Sequence, residues 1–221
     1  MKNGKVVTSR GISEVEIAID DGKIISICKE SHLPEANKVI DVEGMIVMPG
    51  AIDPHVHFGS NNRFEEDVPD STSAQAVGGI TSSFASLQDK RSYKNTIPEY
   101  TEVLDNNSYV DVTLYAYVMT MEHINELGYA IESGITSFKH FTNRPEYEKM
   151  GISYLSDGEM FLSFERIKEL GGVAMVHCED FGIAQKLMER LKNAGRNDLA
   201  AWNDCRPDFI EHKKIVEATY L

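Results

Sequence analysis

The rhythm of hydrophobic and polar positions changes near residue 48. Before it, short runs rich in valine and isoleucine partly alternate with polar residues: VVTS, EVEIAID, KIISIC and KVIDVEGMIVM. A period of two is the pattern of a strand with one face covered. Asp21-Gly22 falls between two of these runs, and such a dipeptide accepts the backbone that a tight hairpin needs. Residues 1–48 are therefore expected to form a small β-sandwich-like unit, with too few strands to be stable alone.

From there to residue 221 the pattern becomes strand then helix, repeatedly. MIVMPGAIDPHVHF reads as a buried strand, STSAQAVGG as a helix closing on glycines, and ITSSFAS as the next strand. NTIPEYTEVLDNN and MEHINELGYAIES read as helices, followed by the strands DVTLYAYVM and ITSFKHF respectively. DGEMFLSFERIKELGG is amphipathic, with Asp157 as the expected N-cap, and leads into the strand VAMVH. FGIAQKLMERLKNAG and PDFIEHKKIVEATYL close the chain as helices. Strands thus precede helices five times over residues 49–221. This predicts an α/β protein whose parallel sheet is covered on both faces or closed. A doubly wound sheet and a (β/α) barrel both fit, and both place chemistry at the C-terminal ends of strands. The chain has neither GxGxxG nor GxxxxGK[ST], so the nucleotide-binding versions lose support.

Composition changes this picture little. Of 221 residues, 42% are hydrophobic and 26% charged, as in ordinary soluble globular proteins. The net charge of −13 argues against a nucleic-acid partner and against an anionic membrane surface. Cys28, Cys178 and Cys205 are too few and too scattered for a disulfide framework. No apolar run has the form of a signal peptide or reaches the roughly 18 residues of a membrane span, so a cytoplasmic protein is expected.

The candidate chemistry lies at strand ends. His55 and His57 are two apart in an extended segment, so both imidazoles can face one point. Lys139 sits near the end of ITSFKHF, and lysine is rarely buried without a partner. His177 ends VAMVH. His55, His57 and His177 each have a bland reading alone as surface or packing residues, whereas Lys139 in an apolar strand is harder to explain that way. Their recurrence on one rim points to a metal site, since imidazole suits zinc and similar ions. His32, His123, His140 and His212 lack that context and read as surface or packing residues. Cys178 reads as a buried neighbour of His177, and Glu179 and Asp180 as the anionic start of a helix.

PGAIDPHVHF, GITSFKHF and VAMVHCED, in this order, resemble three successive signatures of the cyclic amidohydrolases. That family comprises the dihydropyrimidinases, hydantoinases, allantoinases and dihydroorotases. The resemblance runs over the whole chain. It implies that residues 1–48 match the family's small β domain. Residues 49–221 would then be the N-terminal part, about five βα units, of a (β/α)8 TIM-type barrel. It further implies two divalent metal ions, zinc by default. His55 and His57 would bind one, His177 the other, and a carboxylated Lys139 would bridge them. The implied substrate is a small cyclic amide of dihydropyrimidine or hydantoin type, its ring opened by a metal-bound hydroxide. The implied full-length form is a homotetramer.

Some positions leave alternatives. Asp53 either supports a histidine from behind or forms the turn before Pro54. Arg144 stands where dihydropyrimidinases and hydantoinases carry a tyrosine; it either favours an acidic substrate group or belongs to a solvent-facing loop. Gly59 stands where dihydroorotases carry an arginine, which argues against them. The family's remaining ligands, a histidine after the sixth strand and an aspartate after the eighth, have no candidate, because His212 lies in a helical pattern. The chain is therefore expected to be part of a longer enzyme and inactive by itself, and no residue in it is assigned a catalytic role. Two alternatives stand beside this reading: an allantoinase, and a non-catalytic dihydropyrimidinase-like scaffold.

Overall fold

The computed structural model describes residues 1–29, 33, 35–60, 63–142, 148 and 151–221. They divide into two compact units, Met1–Ala51 and Ile52–Leu221.

The first unit holds five short strands: β1 (Lys5–Thr8), β2 (Gly11–Glu14), β3 (Glu16–Asp20), β4 (Lys23–Cys28) and β5 (Ile46–Val47). β1 is central, antiparallel to β2 and parallel to β5. β3 and β4 form the expected hairpin, with Asp20 opposite Lys23. Asp21 and Gly22 both take positive φ, at 46° and 71°, as a two-residue hairpin turn requires. One expectation is corrected here. MIVMPGAIDPHVHF is not a single strand: Ile46–Val47 pairs with β1, and a new strand, β6, runs over Ala51–Val56. Pro49 lies in the break, where it has no N–H to offer a ladder.

In the second unit, β6 is followed by α1 (Phe64–Val77), β7 (Ile80–Leu87), α2 (Tyr93–Asn107) and β8 (Asp111–Tyr117). Then come α3 (Met121–Asn125), α4 (Leu127–Glu132), β9 (Ser137–Phe141), α5 (Asp157–Glu169) and β10 (Val173–His177). α6 (Phe181–Asn193), α7 (Leu199–Asp204) and α8 (Phe209–Tyr220) complete it. The sheet order is β10-β9-β8-β7-β6, with β7 to β10 pairing in parallel. Successive strands are neighbours, each joined to the next through helix, which is the sequence of a barrel rather than of a doubly wound sheet. The fold is a five-stranded part of a TIM-type barrel.

Alternation along β8 explains why this sheet is covered on both faces. Leu114, Ala116 and Val118 pack with Ala85, Leu87 and Phe138 against helix residues that include Ile97, Leu127 and Ile167. Tyr115, Tyr117 and Met119 face the other way, with Phe141, Phe84 and Met175. Side chains two apart share a face, so one strand feeds two cores.

Helix ends depart from expectation in three places. α1 begins at Phe64, seven residues before Ser71. Glu65, Glu66 and Asp67 form its first turn, where negative charge is favoured. The N-cap of α5 is Ser156, not Asp157: its hydroxyl accepts the Glu159 N–H while the Glu159 side chain accepts the Ser156 N–H. MEHINELGYAIES is two helices, broken at Glu126. The Glu126 carboxylate is engaged elsewhere, accepting from the Ser92 hydroxyl at 2.8 Å and the Tyr93 N–H at 2.7 Å at the start of α2. Helix α7, capped by Asp198, was not expected from the sequence.

Candidate metal centre

The end of β6 carries the two histidines. Their Nε2 atoms lie 3.1 Å apart. Two ligand nitrogens on a tetrahedral zinc ion, each about 2.0–2.1 Å from it, would be about 3.3 Å apart. Neighbouring strands hold each ring in place. Tyr115 stacks on the His55 ring at 4.9 Å, with its hydroxyl 3.3 Å from Nε2. On His57 it is Nδ1 that faces hydroxyls, Ser86 Oγ at 3.3 Å and Tyr117 at 3.4 Å. Burial, and then the positive charge of Lys139, push both imidazoles below their ordinary pKa, toward the neutral form that ligates.

Lys139 stands in β9, paired in register with Tyr117 of β8 and Met175 of β10. Its Nζ lies 5.5 Å from the centre of the Phe141 ring. Burial pushes the ammonium pKa down, toward a neutral amine. His177 closes β10, with its ring 5.7 Å from that of Phe141. A cavity of about 380 Å³ is lined by His55, His57, Tyr117, Lys139, Phe141 and His177. The structure therefore brings the four expected residues to one place.

Other expectations fare differently. Asp53 lies inside β6 rather than in a turn, and accepts the His55 backbone N–H at 3.2 Å. Arg144 and His32 lie outside the described residues. His212 is exposed on α8. His123 and His140 are fully buried packing residues. His140 Nε2 meets the Ser163 hydroxyl at 2.8 Å. Asp180 caps α6, but Glu179 is not part of that helix start: its side chain turns to His177. Sequence reasoning missed Ser86, Tyr115, Tyr117 and Glu179. The alternation in LYAYVM was the available signal for the two tyrosines, since it puts them on one face.

Among the described residues, no three histidine, cysteine, aspartate or glutamate side chains converge to hold an ion. The donor set fits a metal only if Lys139 joins it. Neutral imidazoles and a lysine shifted toward its neutral amine make that chemistry available.

No family model matches the chain. It is 33% identical, in an alignment 227 positions long that covers the whole chain, to an L-hydantoinase of Paenarthrobacter aurescens. It is 29% identical, in an alignment 238 positions long, to an allantoinase of Solibacter usitatus. The chain spans about half the length of these curated relatives, 48% in each case. The solved L-hydantoinase (dihydropyrimidinase) from Arthrobacter aurescens superposes on 99% of the chain and 49% of its own length, with a TM-score of 0.86 at 30% identity. In sequence and in fold alike, these 221 residues are similar, over their whole length, to about half of the L-hydantoinase chain.

Proposed function

We propose that the whole protein is a metal-dependent hydrolase that opens the ring of a small cyclic amide of hydantoin or dihydropyrimidine type. The observation that carries this reading is the convergence of His55, His57, Lys139 and His177 on one cavity, with the two Nε2 atoms at ligand spacing. His55 and His57 would hold one ion and His177 a second, and Lys139, carboxylated on its amine, would offer a carbamate oxygen to each. Zinc fits the imidazole donors. When bound, such ions polarise the amide carbonyl and activate water.

The chain's own residues prepare that chemistry. Tyr115 fixes the His55 ring by stacking, and Ser86 and Tyr117 fix His57 through Nδ1. Burial shifts the Lys139 ammonium toward the neutral amine, the form that can add carbon dioxide. Phe141 and Tyr117 give the cavity an apolar wall beside the polar cluster. The three cysteines are free thiols, which suits the cytoplasm. Among the described residues, no helix is long and apolar enough to cross a membrane.

The test is ring opening of hydantoin, dihydrouracil and allantoin by the zinc-loaded whole protein. Lys139→Ala should cost about a thousandfold or more, several kcal/mol of transition-state stabilisation. A short carboxylic acid should restore part of it. Full activity of Lys139→Ala without added acid would sink the bridging role. Preference for allantoin would favour the second reading, an allantoinase, which the similarity to the Solibacter usitatus protein supports.

A further inference from the structure

Behind His177 runs a line of contacts that the four-residue set leaves out. The Nε2 of His177 lies 3.4 Å from Glu179 Oε2. The other carboxylate oxygen, Oε1, lies 3.2 Å from Arg206 Nε. The Arg206 guanidinium lies over the Trp202 ring at 3.5 Å, and its Nη1 donates to the Trp202 carbonyl at 3.3 Å. Glu179 is nearly buried, with its side chain 11% exposed. The backbone between the two acceptors is clamped as well. The Thr142 hydroxyl reaches the carbonyl oxygens of His177 and Glu179, each at 3.0 Å, and accepts the Glu179 N–H at 3.3 Å.

We propose that Glu179, anchored on Arg206 and Trp202, is a positioning residue that sets the ring orientation and tautomer of His177 for metal ligation. The proposal deepens the reading above and rests on His177 being a ligand. The physical reason is general. A carboxylate that takes the N–H of one imidazole nitrogen leaves the proton off the other, fixes the ring plane and makes the imidazole a better donor. A lone buried carboxylate would be costly. Arg206 neutralises it, and the indole face under the guanidinium restrains Arg206 in turn. A carboxylate needed only to tie α7 to the sheet has no reason to direct its second oxygen at an imidazole.

The experiment is a titration of the full chain with cobalt(II) alone, followed by visible absorption and by the number of ions bound. His177→Ala identifies the equivalent that depends on His177. Glu179→Gln keeps the shape and removes the charge. It should weaken that equivalent by about 10- to 100-fold and shift its ligand-field bands. Arg206→Gln keeps the carboxylate, loosens its anchor and should give a smaller loss of the same kind. Parental affinity and spectrum in Glu179→Gln, alongside loss in His177→Ala, would overturn the positioning role and leave the ligand reading intact. Cobalt binding unaltered in His177→Ala would overturn both. Should Glu179→Gln fail to fold, parental affinity in Arg206→Gln overturns the proposal instead.

Discussion

His123 shows what one buried imidazole does for this fold. It is fully buried and stacked on Tyr93 at 4.2 Å. Its Nδ1 accepts the Met119 N–H at 3.2 Å, so Nε2 carries the proton and donates to the Arg91 carbonyl at 3.0 Å. Protonation would put a hydrogen where Met119 donates. Burial accordingly holds this imidazole below its ordinary pKa of 6.5. The sign follows from proton counting. Between the lowered folded value and 6.5, the unfolded chain binds more protons, so stability is full above 6.5 and falls as the pH drops below it. His123→Gln should cost about 1–3 kcal/mol at pH 8 by leaving buried backbone groups unpaired. The gap between parent and variant should narrow toward pH 5, as denaturant melts at the two pH values would show. The site's histidines are legible in the sequence for a simpler reason: His55 and His57 are two apart in an extended run, and that spacing alone aims them together. Ser86, Tyr115 and Tyr117 are not legible as their supports, because those contacts span 29 and 60 residues of chain.

At the scale of the element, local chemistry predicts existence better than ends. The hairpin at Asp21-Gly22 forms as read, because the two positive φ angles are a property of those residues. The break at Glu126 has no local signal in the sequence, and its carboxylate is held at the start of α2 by Ser92 and Tyr93, more than 30 residues away in the chain. α5 lies between these cases. Its cap lies one residue before Asp157, where SDGE holds a complete reciprocal cap in Ser156 and Glu159. Ser156→Ala should remove it at a cost of about 1 kcal/mol. Thermal melting checks this, and an unchanged midpoint would mean that packing of Met160, Ser163 and Ile167 fixes the helix end unaided.

At the scale of the molecule, no single element makes the site. Its residues come from β6 at one side of the sheet, β9 within it and β10 at the other side. A parallel sheet with chemistry at its strand ends is readable from five repeats of strand then helix, but the strand order is not, because a doubly wound sheet and a barrel share that pattern. Nor is the line from His177 out to α7 readable, because α7 itself gave no recognisable pattern. That line has an optical consequence. The chain contains one tryptophan, Trp202, and it is half-exposed at the outer end of the line, against Arg206. Its fluorescence is therefore a label already in place, sensitive to any shift of the guanidinium lying on it. Zinc, which has a filled d shell, should change the emission of the parent chain. It should leave that of His177→Ala unaltered, so the chain's own light reports occupancy of the site.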